Sequence, residues 1–280
     1  MGVASDRWYV DWQNPDHARH LDFRHSLDDR NLVRNYEAYN DVRLLKERLD
    51  PGRPLVLLEV GCATGEFYRY LRFQYPNVTY YGLDISEPAI TRAKEKYPKA
   101  NFFVTRPEMK ISDILKELSL PEAPEVVYAK DVILHQTRPF EFLSDLVKIA
   151  AEALVIRCRT RDVGETELDP ELSCQYHYDG WMPYIVMNLD ELIAHIRKEA
   201  WQSEVVVYRN HVVLGVQNNR YLPKECYLKA TGTAETAIGV FKKTDNAGKL
   251  VIEVHPDMNP KYTLDYRLKR YVRRLSGILR

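Results

Sequence analysis

The 280-residue chain is short of several things, and each shortage removes a class of protein. It has no net charge, because 40 Lys and Arg balance 40 Asp and Glu. No whole-surface field therefore draws it to nucleic acid, although a local basic patch would not show in that sum. No apolar run approaches the roughly 20 residues of a membrane-spanning helix. The four cysteines, at positions 62, 158, 174 and 226, contain no CxxC pair. That spacing fits neither a disulfide framework nor a structural zinc site, and it does fit free thiols in a reducing compartment. The first residues, MGVASDRWYVDW, lack the basic start and apolar stretch of a secretory signal. The expected location is the cytoplasm. Repeats and low-complexity segments are also missing.

What is present is a 45% apolar, 29% charged composition, sufficient for a full core in a chain of this length. Along residues 28–49, Leu32, Tyr36, Tyr39, Val42 and Leu45 recur at three- and four-residue steps. This spacing predicts an amphipathic helix, ended by Asp50-Pro51-Gly52. Short apolar runs then alternate with helical patterns. Strands are predicted at 55–60, 78–83, 101–104, 126–129 and 153–158, and helices at 66–75, 87–97, 109–118 and 140–151. Such alternation predicts an α/β fold with a mostly parallel central sheet and helices on both faces. A loop at 159–187 interrupts it, and its aromatics favour an ordered, functional segment. A helix follows near 188–200, then β-rich pieces at 204–208, 211–216, 235–242 and 249–254. A turn is expected at 246–248, with late strands forming an antiparallel edge. The division expected is an N-terminal helical lid or cap (1–50), a main domain (51–260) and a C-terminal helix (261–280).

The strongest signal is LLEVGCATGEF, residues 57–67, where an apolar strand enters a small-residue turn with a helix behind it. Gly61 and Gly65 permit a tight turn, and the helix start offers free amides. Asp84 ends the next strand, 19 residues after Gly65, where an acid can accept two ribose hydroxyls. A nicotinamide dehydrogenase would have G-x-G-x-x-G, and a P-loop would have Gly-Lys-Ser/Thr; neither is present.

These residues resemble the class I S-adenosylmethionine-dependent methyltransferases, which have a Rossmann-like fold. In that family the first strand ends in an acid followed by G-x-G-x-G; here Ala63 replaces the middle glycine of Glu59-Val60-Gly61-Cys62-Ala63-Thr64-Gly65. The resemblance covers about residues 40–160. It implies S-adenosylmethionine as cofactor. Glu59, Gly61, Ala63 and Gly65 would hold its methionine part, Asp84 and Ile85 would lie at its ribose, and Lys130 and Asp131, after the fourth strand, would lie near the transferred methyl. The acid that many relatives place after the third strand to contact adenine is replaced here by Thr105 and Arg106.

Candidate catalytic residues are His135, just past the fourth strand, and His177; each imidazole suits a base near neutral pH. The alternative for His135 is packing beside the cofactor without titration. Arg157, Arg159 and Arg161 alternate, so they share a face of an extended chain. They either bind an anionic acceptor or pair with nearby acids such as Asp162, Glu165, Glu167 and Asp169. Arg157, Arg159, Tyr176, Tyr178 and Trp181 are the candidate substrate contacts, the aromatics either closing over an acceptor or packing as a surface loop. His17, His20 and His25 carry no strong metal motif, so no metal is expected. The last twenty residues carry +6 and the first 260 carry −6. That basic amphipathic tail suits an anionic membrane, an acidic partner or a nucleic acid; its alternative is a packed helix with a solvated basic face. The expected reaction is methylation of oxygen or nitrogen on a small polar, anionic or sugar-type acceptor. The alternatives are a nucleic-acid or protein acceptor, or a non-catalytic cofactor-binding module.

Overall fold

The computed structural model describes residues 9–24, 28–107, 109–121, 123–177, 180–217 and 219–255. The basic helix expected at 261–280 lies outside them, as do His25, Tyr178 and the side chain of His177.

The helices are α1 (Pro15–Arg24), α2 (Asp29–Tyr36), α3 (Asn40–Arg48), α4 (Glu66–Gln74), α5 (Glu87–Lys96), α6 (Ile111–Leu118), α7 (Pro139–Ile149) and α8 (Leu189–Glu199). The strands are β1 (Leu55–Val60), β2 (Val78–Asp84), β3 (Asn101–Val104), β4 (Val126–Lys130), β5 (Ala153–Arg161), β6 (Cys174–His177), β7 (Gly180–Pro183), β8 (Met187–Asn188), β9 (Glu204–His211), β10 (Arg220–Tyr221), β11 (Ala234–Phe241) and β12 (Leu250–Val254). The central sheet runs β12-β9-β11-β5-β4-β1-β2-β3, with β8 on β5. Its middle strands are nearly continuous apolar runs, because helices cover both faces. One face packs against α6, α7 and α8, through residues such as Ile114, Leu146 and Leu192. The other packs against α2 to α5, through Leu32, Leu45, Phe67 and Ile90. This is the α/β arrangement that the strand–helix rhythm predicts, and the Rossmann-like fold that the resemblance implies.

Two of the helix starts that flank the sheet are capped by side chains. Ser86 accepts from Ala89 N at the head of α5, and Asn188 accepts from Glu191 N at the head of α8.

Three expectations are corrected. The helix over 28–49 is two helices, α2 and α3, because Tyr39 is extended (φ −98°, ψ 140°) and turns its ring under two cations, Lys130 and Arg157. The strand expected at 211–216 is absent. β9 instead runs through His211, paired residue for residue with β11, and a 3-10 turn occupies Leu214–Val216. The reversed strand is not at the edge: β11 lies between β5 and β9, antiparallel to both. The turn at 246–248 exists, with Lys249 N donating to Asn246 O. It lies between β11 and β12 as expected, and β12 then pairs in parallel with β9 on the side away from β11.

Part of the 159–187 loop is regular. β5 continues to Arg161, and a three-stranded antiparallel sheet, β10-β6-β7, stands apart from the main sheet.

Candidate active site

The turn after β1 is stitched to the end of β2. The amides of Gly61 and Cys62 both donate to Leu83 O, at 2.7 and 3.0 Å. Gly61 and Gly65 sit at φ +79° and +80°, where a side chain is costly. A Cβ on Gly61 would lie 2.2 Å from Val132 Cγ2, and one on Gly65 would lie 2.7 Å from the Phe102 ring. The space these glycines leave is therefore filled by the protein itself, which draws β3 and the segment after β4 against the turn. Ala63 also takes positive φ (+47°) and donates its N–H to Asp84 Oδ2 at 2.8 Å. The other Asp84 oxygen accepts from Ser86 N at 2.8 Å. Burial raises the Asp84 pKa, and the amides of Ser86 and Ala63 work against that rise.

Glu59 is buried, and Tyr80 donates its phenol to Glu59 Oε2 at 2.5 Å. Burial pushes this carboxyl up to about 8, against the opposing pull of the Tyr80 hydrogen bond and of Lys130. Thr64 Oγ1 is buried without a hydrogen-bond partner.

Glu59, Gly61, Ala63, Asp84, Ile85, Lys130 and Asp131 all line one cavity of about 1200 Å³. That volume exceeds the usual range for a single small-ligand pocket. It runs on from the β1 turn to His135, Trp12, Tyr184, Arg157, Arg159 and Arg220.

His135 Nδ1 lies 2.8 Å from Pro183 O. A carbonyl only accepts, so Nδ1 carries the proton and Nε2 the lone pair. Burial is the main cause that lowers His135 to about 4, with the positive charges of Arg159 and Arg220 adding to it. The ring packs edge-on against Trp12 and Tyr184. Trp12 belongs to a short N-terminal turn. Beside it, Gln13 donates to Ile85 O at 2.5 Å and accepts from Glu87 N at 3.2 Å.

The arginines resolve differently from the local acids that follow them. Arg157 pairs with Glu235, Asp131 and Asp41, and Arg159 with Asp131 and Glu235. Arg161 faces Glu225 at 3.5 Å, outside this group. Asp162 serves Arg209 instead. Burial alone would raise Asp131, but Arg159, Arg157 and Lys130 outweigh it and hold the carboxyl well below the usual range. The cationic pair at 157 and 159 is thus compensated from α3, from the residue after β4 and from β11.

Tyr176 and Trp181 do not reach the cavity. They are register partners across β6 and β7, and strand alternation turns Gln175 inward in their place. They pack on each other at 5.3 Å between centroids, and Trp181 on Tyr221 at 5.0 Å. Among the described residues no group of three His, Cys, Asp or Glu could hold a metal ion, and no helix is long and apolar enough to cross a membrane.

Residues 58–152, which contain the β1 turn, Asp84 and His135, match the family model described as a methyltransferase domain. These residues carry a methyltransferase domain. Magnesium protoporphyrin IX methyltransferase from Synechocystis PCC 6803, solved with S-adenosylhomocysteine bound, is similar in fold. The TM-score is 0.50 at 13% identity, covering 83% of this chain and 96% of that one. The N-terminal domain of EvdMO1, also solved with S-adenosylhomocysteine, superposes with TM-score 0.48 at 14% identity, covering 84% of each chain. A comparison with curated protein sequences finds no match.

The turn fits S-adenosylmethionine, the cofactor that the resemblance implies. An acid at the end of β1, an acid at the end of β2, the unpartnered Thr64 hydroxyl and the first amides of α4 face one cavity. Sequence reasoning found all of these except Thr64. It missed Tyr39, which underlies Lys130 and Arg157, and it missed Arg220, which no local pattern marks.

Proposed function

We propose that the chain transfers the methyl group of S-adenosylmethionine to an oxygen or nitrogen of a small polar acceptor, anionic or sugar-type. The observation that carries this reading is the continuity of the cavity. One volume contains the β1 turn and Asp84 at one end and His135, Trp12 and Tyr184 at the other. The far end is roofed by the N-terminal turn and the β6-β7-β10 sheet, which suits a discrete molecule better than a polymer.

Glu59 and the turn from Gly61 to Gly65 hold the amino-acid part, and Asp84 and Ile85 the ribose end. Asp84 keeps this capacity while bracing Ala63 and Ser86, because each carboxylate oxygen accepts more than one hydrogen bond. Bound, the cofactor supplies a methyl group already carried on its own leaving group. The protein's task is then positioning and proton removal. His135 presents a lone pair at Nε2, fixed by the Pro183 bond. A base lowered to about 4 is weak toward a free alcohol. It suffices once the acceptor oxygen has begun to bond the methyl and has become strongly acidic. Lys130 and Asp131 flank this point, and the N-terminal segment acts as a lid through Trp12 and Gln13.

Calorimetry with S-adenosylhomocysteine tests the cofactor half. Asp84→Ala should weaken binding by about 1–3 kcal/mol, from lost charge-assisted hydrogen bonds and a loosened turn. Unchanged affinity removes Asp84 from the ribose site.

A further inference from the structure

We infer that Arg220 is the acceptor-recognition residue of the cavity, and that it takes an anionic oxygen group, a carboxylate or a phosphate, on the acceptor. This deepens the methyl-transfer reading and rests on it.

The argument begins with charge. Of the cations that line the inner cavity, Arg157 and Arg159 are committed to Asp131, Glu235 and Asp41. Lys130 lies on the Tyr39 face at 3.8 Å, beside Asp41 and Asp131. Arg220, half-buried on β10, has no carboxylate within ion-pair distance among the described residues. Its polar contacts are two long ones to neutral oxygens: Nε to Gln175 Oε1 at 3.4 Å and Nη1 to Leu214 O at 3.3 Å. They use two of five N–H donors, so the rest of the fork remains to be satisfied.

Next comes orientation. The guanidinium is stacked on the Tyr184 ring, 4.1 Å from its centroid. A planar cation held by an aromatic face and two carbonyl-type acceptors is restricted before a ligand arrives, and a fork so held matches the two oxygens of a carboxylate or phosphate. Burial disfavours the Arg220 charge, as Arg159 does, and Tyr184, Glu235 and Asp131 offset this only in part, so an incoming anion supplies counter-charge at contact distance. Finally comes placement. Tyr184 carries Arg220 on its face and His135 at its edge, 6.1 Å between ring centroids. An anion on Arg220 therefore sets the remainder of the acceptor beside Nε2 of His135. Gln175, from β6, faces the same cavity and completes the polar wall.

The test uses two probes, inorganic phosphate and benzoate, titrated into the wild-type chain with and without S-adenosylhomocysteine. Phosphorus line broadening reads the first and saturation-transfer NMR the second. Wild type should bind at least one, and the stronger of the two identifies which anion the fork prefers. Arg220→Gln should weaken that binding at least tenfold. Arg220→Lys, which keeps charge and loses the fork, should weaken it about threefold. Affinity for S-adenosylhomocysteine should stay within twofold of wild type in both. Neither probe binding to wild type, equal probe binding in Arg220→Gln, or a tenfold loss of S-adenosylhomocysteine affinity in the variants would overturn the assignment. Failure of wild type to bind S-adenosylhomocysteine instead strikes the cofactor reading, and the cofactor-free titration still reads the anion site.

Discussion

Binding S-adenosylhomocysteine at pH 7 should expel most of a proton from Glu59. The carboxyl is buried and raised to about 8 in the free protein, so at pH 7 it is about ten-to-one protonated. The ligand brings an ammonium group into the same corner. An opposite charge at contact distance lowers a carboxyl by about 1–3 units. With a two-unit drop, the bound group sits near 6, and about 0.8 proton leaves Glu59 at pH 7. The amine of the ligand, beside its own carboxylate, is already protonated at pH 7 and takes back almost none. Ionising Glu59 costs about 1.4 kcal/mol at pH 7, and that cost shrinks as pH rises. Between pH 6 and pH 7 affinity should therefore strengthen about fivefold. Calorimetry in two buffers of different ionisation enthalpy reads the proton count directly. Glu59→Gln should bind more weakly, with no proton release and a flat pH response. Tight wild-type binding with no proton exchange, and equal affinity at pH 6 and 7, would refute the reasoning.

Three further outcomes follow from the geometry. With saturating cofactor, kcat should stay level down to about pH 5 and fall through pH 4, because His135 is lowered to about 4 and is active when neutral; an acid limb at 6.5, or the same limb in His135→Ala, argues against it. Ala63→Gly should stabilise by about 0.5–1 kcal/mol, since alanine in the left-handed region costs about 1–2 kcal/mol and glycine costs part of that in the unfolded chain; a lower urea midpoint would contradict this. Asp41 is fully buried, accepting from the Tyr128 hydroxyl and facing Arg157 at 3.6 Å. Asp41→Asn should destabilise by about 3 kcal/mol by leaving part of a buried cation unmatched, and a loss under about 1 kcal/mol in urea unfolding would show that Glu235 and Asp131 suffice.

What the sequence made legible is what short stretches encode. The β1 turn, Asp84 and His135 each announce themselves within a few residues of a strand end, and the strand–helix rhythm alone predicts the parallel sheet. What stayed hidden depends on distant partners. The acids that neutralise Arg157 and Arg159 come from positions 41, 131 and 235 rather than from 162–169. The break at Tyr39 comes from Lys130 and Arg157, more than 90 residues away along the chain in the first case. At Tyr176 and Trp181 composition suggested a pocket, and the register of β6 on β7 turned both away from it. Arg220 has no local signature, since its meaning arises only where β10 meets Tyr184.

The reversed strand has a temporal consequence. Glu235 of β11 stands opposite Arg159 of β5 in the sheet register, yet it is made 76 residues after Arg159. Until β11 inserts, two arginines on a strand at the heart of the sheet lack part of their counter-charge, and enclosing them dry would be costly. The half built from β1 to β5 can pair locally, whereas the cavity wall waits for this long-range closure. A nascent chain therefore completes its charged floor last, and ligand competence should emerge only with the β5–β11 ladder, in a single late step.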